Sequence, residues 1–425
     1  MRSKLLGSSL AIAGMIAAGC SNDGESSGGR VQISFQVAGE AEEIAAYRTV
    51  EKAFEKEYPD IDVQLIEIAD KDEHLQKLST SFAGGAPPDV FLLNFREYSQ
   101  FVVRDAIEPV GPHLRKAGLD MADYFSEPVD AFTFDGELQC MPQNVSSLVV
   151  YYNVALLEAA GLDRPQDGWS WEQFRDYAMA LNDPEAQVRG LGIEPSIIRI
   201  APFVWSNGGE IVDDPVAPTR FTLDTPEARE AIGFLSTLVR EDGVVPTEEE
   251  LAAQDLETRF ATGKLGMLLS SRRDTPFFRE NTSLNFDVAP LPIAKQPVGI
   301  LHSDAYCVSR AAGELDAVME FIGFAMGEEG QTITALSGRT VPSLRAVAES
   351  GAFLNPAQPP AHPEVFLDAI PVLRRTPVIP TWPEIEDIAE EIFTRIFYED
   401  DYSIDDGLTE LEEATRDLFE EGASL

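Results

Sequence analysis

Apolar and polar residues alternate through VQISFQV at 31–37, the period-two signature of a strand. The period then changes. Between residues 42 and 58, Ile44, Tyr47, Val50, Phe54 and Tyr58 recur at helical spacing, and Pro59 stops the run. Residues 62–67 predict a second strand. Residues 73–83 predict a second helix, closed by Gly84-Gly85. DVFLL at 89–93 is a short apolar strand of the kind buried on both faces, and 95–104 is expected to be helical again. The pattern restarts with a strand at 147–152 and a helix at 153–160. A capping box, Ser170-Trp171-Glu172-Gln173, opens a helix through 181, and Thr225-Pro226 opens another to 240. Strands are expected at 265–269, 286–289 and 305–308, and helices at 315–326, 385–397 and 408–420. Such alternation predicts an α/β fold with mostly parallel sheets flanked by helices. No internal repeat interrupts it.

The N-terminus follows other rules. Arg2 and Lys4 precede an uncharged apolar run at 5–18, too short to cross a bilayer core, and Ala17-Ala18-Gly19 supplies small residues. Residues 1–19 therefore read as a secretory signal peptide. Cys20 directly after the small residues resembles the lipobox of bacterial lipoproteins, whose new N-terminal cysteine carries lipid. An ordinary leader with a chance cysteine is the alternative. The next stretch, SNDGESSGG, has the composition of a flexible tether, assigned to 20–30.

After the leader about four hundred residues remain, more than one ordinary core holds, so two lobes are expected. The full chain carries a net charge of −41; without Arg2 and Lys4, 30 basic against 73 acidic side chains leave −43. A surface so negative repels nucleic-acid phosphates and anionic lipid headgroups. Cys140 and Cys307 both fall in strand-like segments, and either a bridge or two buried thiols fits them in an exported chain.

Catalytic signatures are missing. GESSG at 24–28 matches G-x-S-x-G but follows no strand, so it cannot form a nucleophile elbow. His74, His113, His302 and His362 lie far apart, with no H-E-x-x-H or C-x-x-C spacing and no phosphate loop. No catalytic residue, metal or cofactor is expected.

Several phrases, in order, identify a family: FEKEYPDIDV at 54–63, GGAPPDVFLLN at 84–94, YYNVALLEAAG at 151–161, GWSWEQF at 168–174, WSNGGE at 205–210, FATGKLGM at 260–267 and SGRTVP at 337–342. Together they resemble the extracellular solute-binding proteins of bacterial ABC importers, the family of maltose-type and glycerol-phosphate-type receptors. The resemblance covers nearly all of the mature chain. It implies a two-lobed periplasmic-binding-protein fold whose discontinuous lobes are joined by hinge crossings. Lobe I would take 31–146 plus 303–350, and lobe II 147–302 plus 351–425. The crossings would lie near 146–150, 299–304 and 350–360. It implies a monomeric, non-enzymatic, lipid-anchored receptor at the cell envelope that delivers a sugar to the transmembrane subunits of a permease. An exported acidic glycoside-active enzyme, or a surface lipoprotein binding a protein partner, is the alternative.

In open α/β sheets ligands sit beyond the carboxyl ends of strands, which selects the loops Gly39-Glu40, Asn94-Phe95-Arg96 and Ser271-Arg272-Arg273. Asn94 offers donor and acceptors for a hydroxyl, or it caps a helix. Arg273 binds hydroxyls or an anion, or it makes a surface ion pair. Trp205 precedes Asn207-Gly208-Gly209 and reads as a loop tryptophan facing the cleft, with Phe203 a weaker aromatic candidate. Trp382, before a helix, suits binding or packing. Asp304 and Tyr306 lie at the second crossing, where hinge packing is the alternative. Arg339 in SGRTVP matches a family loop near the cleft, or it contacts a helix terminus.

Overall fold

The computed structural model describes residues 29–39 and 41–424; the leader, Cys20, most of the tether and Glu40 lie outside the described residues. Two sheets carry the fold. The first runs in the order Ile61–Ile68, Val31–Ala38, Val90–Asn94, Asp304–Ser309, Ile107–Glu108, with Met141–Pro142 also paired to Asp304–Ser309. The second runs Phe286–Ala289, Val149–Asn153, Leu265–Ser270, Arg189–Gly192. The α/β class is as expected, and the strand directions refine it, because both sheets are mixed. Asp304–Ser309 lies antiparallel to Val90–Asn94, and Val149–Asn153 antiparallel to Leu265–Ser270 and Phe286–Ala289. The reason is topological. Each of these strands enters its sheet from the side where its neighbour ends, so it runs the opposite way.

Side-chain alternation explains the second sheet. Val150, Tyr152, Met267, Leu269 and Ala289 point into one core, while Val149, Tyr151, Leu268, Phe286 and Val288 point into the other. Both faces are covered, so these strands read as continuous apolar runs. Helix Trp382–Tyr398 packs on Pro226–Arg240, Ile197–Ser206 and Ile404–Gly422 to close the second core. Phe366 packs against Tyr151 on the opposite face of that sheet.

The chain passes between the sheets as paired segments. Ser146 and His302 exchange backbone hydrogen bonds of 2.9 Å in both directions, and Gly299–Ile300 pairs in parallel with Leu373–Arg374. One residue beyond the Met141–Tyr306 pair, the register sets Cys140 opposite Cys307. They form a disulfide, Cα–Cα 4.4 Å, across a separation of 167 residues. Of the two states open for these cysteines, the chain adopts the bridge.

Most predicted helices recur within a few residues. The segment 95–104 differs: only Ser99–Val102 is helical, after a turn that keeps Phe95 and Tyr98 buried. Among the elements not expected are strand Arg189–Gly192 and helix Ile197–Ser206. Among the described residues no helix is long and apolar enough to cross a membrane.

Candidate functional site

Strand Val90–Asn94 ends at Asn94, and Asp304 begins the antiparallel neighbour directly opposite it. Asn94 Nδ2 donates to Asp304 Oδ1 at 3.1 Å, and the Asp304 backbone N–H donates to Asn144 Oδ1 at 2.8 Å. Asn94 Oδ1 accepts from Arg96 Nε at 3.0 Å, which turns the guanidinium across the gap. There Arg96 pairs with Glu386 of helix Trp382–Tyr398. Trp382 Nε1 donates to the other oxygen of Glu386 at 2.6 Å. One chain of contacts thus runs Asp304–Asn94–Arg96–Glu386–Trp382, from the first sheet to the second core. Burial raises the Glu386 carboxyl above its ordinary range, and Arg96 and the indole N–H oppose this. Beside the chain, Lys71 Nζ lies 2.9 Å from Glu97.

A second buried pair lies next to it. Glu43, in the first turn of helix Ala41–Glu57, meets Arg339 at 2.5 Å. Tyr47 OH donates to Glu43 at 3.3 Å. A Cβ at Gly39 would fall 1.9 Å from Glu43 Oε2, so glycine makes room for the carboxylate. Burial drives the Glu43 pKa up, Asp304 adds to the rise, and Arg339 counters it. Gly338 next door has φ +83°, and a Cβ there would sit 2.3 Å from Arg279 Nη1, so this loop touches helix Thr275–Glu280 of the other sheet's side.

Across the gap, Ser270 ends its strand, and Arg272-Arg273-Asp274 form a short turn. Arg273 is half-exposed and faces Asp274 at 3.1 Å and Glu257 at 3.8 Å. Arg272 turns inward instead, over the rings of Phe353 and Phe366 at 4.9 and 5.3 Å. Burial, with Arg279 nearby, pulls its pKa down to about 9. Arg199, 5% exposed, pairs with Glu194 at 2.9 Å, while its Nε and Nη1 meet no hydrogen-bond partner. The His302 pKa falls well below the usual imidazole range because of burial, then Arg199, Arg96, Arg273 and Lys71 around it.

The sequence candidates therefore divide. Asn94, Asp304 and Arg339 join the cross-gap polar band, Arg273 stands at its edge, and Trp382 reaches it only through Nε1, its ring being fully buried in the second core against Phe221 and Phe419. Glu40 lies outside the described residues. Trp205 differs from expectation: it is not in a loop but near the end of helix Ile197–Ser206, 1% exposed in the second core. Arg374 covers its ring at 4.7 Å. Phe203 packs beside it against Trp171, ring centroids 5.6 Å apart. Tyr306 is 1% exposed and stacks on Phe35 at 5.3 Å. Sequence reasoning named the loop carrying Arg96 without choosing that residue, and it missed Glu43, Arg199 and Glu386. The position of Arg96 just past a strand end was the available signal. Glu386, inside a helix rich in carboxylates, offered none.

Chemically the band offers carboxylates and amide oxygens as acceptors and guanidinium, amide and indole groups as donors, a mixture suited to hydroxyls. Among the described residues no group of three or more His, Cys, Asp or Glu could hold a metal ion. A groove lined by Phe82, Phe101, Arg104 and Arg310 lies at the far end of strand Asp304–Ser309 from Asp304 and has no part in the band.

Comparisons agree with this architecture. A binding protein of Brucella abortus (strain 2308) is 25% identical over 366 residues, covering 83% of this chain and 84% of the relative. The ABC substrate-binding protein Lmo0181 of Listeria monocytogenes, in complex with cycloalternan, superposes with a TM-score of 0.85 at 24% identity over 92% of this chain and 99% of that one. Maltose-bound T. maritima MalE3 gives 0.79 at 19% identity over 91% and 100%. The family model described as bacterial extracellular solute-binding protein matches residues 38–332, more than half of the sequence, and the chain belongs to that family.

Proposed function

We propose that the chain is the substrate receptor of an ABC importer that captures a sugar between two lobes and delivers it unaltered to the transmembrane permease subunits. The observation that carries this reading is the band of paired polar groups where the facing edges of the two sheets meet. Hydroxyls can replace individual partners in such a band, while the paired remainder holds its geometry. Asn94, Asp304, Arg273 and Arg339 are the proposed ligand contacts, joined by Arg96 and Glu386, with Trp382 holding Glu386 from the core behind it. Phe203, Trp205 and Tyr306 would support the site from the cores beneath it. Cycloalternan and maltose bound to structural neighbours support a carbohydrate. A glycerophosphocholine-bound neighbour from Mycobacterium tuberculosis marks the polyol phosphates as the class to test beside it.

The lobes are proposed as 31–146 plus 303–350 and 147–302 plus 351–425. Packing of Phe366 on Tyr151 supports placing the later segment with the second lobe. Closure about the paired crossings would make the form the permease recognises. Export with lipid on Cys20, a monomeric state and residence at the cell envelope complete the reading, and a disulfide is consistent with an oxidising compartment. Titration calorimetry against neutral sugars, polyols and glycerol phosphates tests it. Saturable binding with recovery of the intact ligand is expected. Silence across the panel, or cleaved oligosaccharide, would overturn it.

A further inference from the structure

Arg96 and Glu386 are 290 residues apart and come from opposite sides of the gap. Each side chain is only 16% exposed. Each is also held by a neighbour on its own side. Asn94 Oδ1 accepts from Arg96 Nε and is itself tied to Asp304, while Trp382 Nε1 donates to Glu386. Among the described residues neither charge makes a second ion pair, and Glu97 beside Arg96 and Lys71 beside Glu386 act only at longer range, so opening the gap would expose both charges to water. A pre-oriented, partly desolvated pair loses little side-chain entropy on forming and is screened less by salt than an exposed one. Surface pairs in this chain, such as Lys116–Asp316 with side chains 72% and 83% exposed, have neither advantage.

We propose that Arg96 and Glu386 form a closing bridge between the lobes, positioning residues that draw the halves together without a ligand. The bridge holds Asn94 in fixed orientation toward the gap, with Trp382 fixing Glu386 from behind. It rests on the two-lobe reading above, and its test needs no ligand, so the two can fail separately. The purified chain is studied without solute by small-angle X-ray scattering at low and high sodium chloride. Glu386→Gln and Arg96→Met should each enlarge the radius of gyration, equivalent to about a tenfold loss in the closed-to-open ratio for a well-oriented pair. The double exchange Arg96→Glu with Glu386→Arg should return it toward the starting value. Lys116→Met should leave it unchanged. Molar salt should open the unmodified protein in part, because it stabilises the two charges once water separates them, the Debye length falling from about 10 Å to about 3 Å. Circular dichroism checks that each variant is folded, and the salt series stands even if one is not. Equal radii for the unmodified chain and both single variants, with no response to salt, would overturn the proposal.

Discussion

The two sides of the gap are built differently. On the first side, Glu43, Asn94, Arg96, Asp304 and Arg339 are interlocked with one another or with the backbone of their own sheet, and a disulfide ties the strands behind them. On the second side, Arg273 is half-exposed and pairs only with neighbours on its own side, and Arg199 keeps two unpartnered nitrogens. The charged side chains named on the first side are paired among themselves or across the gap, while Arg199 on the second holds spare guanidinium donors. The proposed recognition would take its reference geometry from the first half and its adaptable groups from the second.

That contrast can be broken in graded steps. Arg339→Met should cost most, about 3–5 kcal/mol in urea unfolding, because it strands the buried Glu43 carboxylate. The Glu43 pKa is already raised by burial, so its uncharged form is favoured in the folded chain. A group with a raised folded pKa contributes stability present at low pH and lost as pH rises through that pKa. The deficit of the variant should therefore shrink as pH falls through that raised folded pKa toward about 4.5 and change no further below it. Replacing Cys140 and Cys307 by alanine should cost about 2–5 kcal/mol, seen as a lower calorimetric midpoint. Gly190→Ala on the second side should cost about 1–3 kcal/mol, since the new Cβ would meet the Ala178 carbonyl oxygen at 1.8 Å. Arg273→Met should cost at most about 1 kcal/mol, as expected of a half-exposed pair. A loss there as large as at Arg339 would erase the contrast.

His302 sharpens it by pH. Its folded pKa lies below the usual 6.5, so its contribution is present above that value and lost as pH falls toward the folded pKa. His302→Asn should flatten the stability profile below pH 6.5, read by thermal melts across pH.

Much of this was readable along the chain because the signals are local. Pro59, the capping box at Ser170 and the alternation at 31–37 each act over a few residues, and the elements appear where those signals stand. The pairing of phrases with a two-lobed fold held for the same reason, since each phrase spans the boundary of a strand or helix. Trp205 failed because Asn207-Gly208-Gly209 marks only where a helix ends, whereas the apolar run before it, broken by Pro202, concealed the helix. Glu386 was invisible because its significance depends on Arg96, a partner that folding supplies from far away in sequence.

The disulfide brackets nearly the whole excursion of the chain through the second sheet, which leaves after Cys140 and returns before Cys307. A protease that nicks any loop in that excursion therefore releases no fragment from a single cut. The severed pieces travel as one species under non-reducing electrophoresis and separate only once thiol is added.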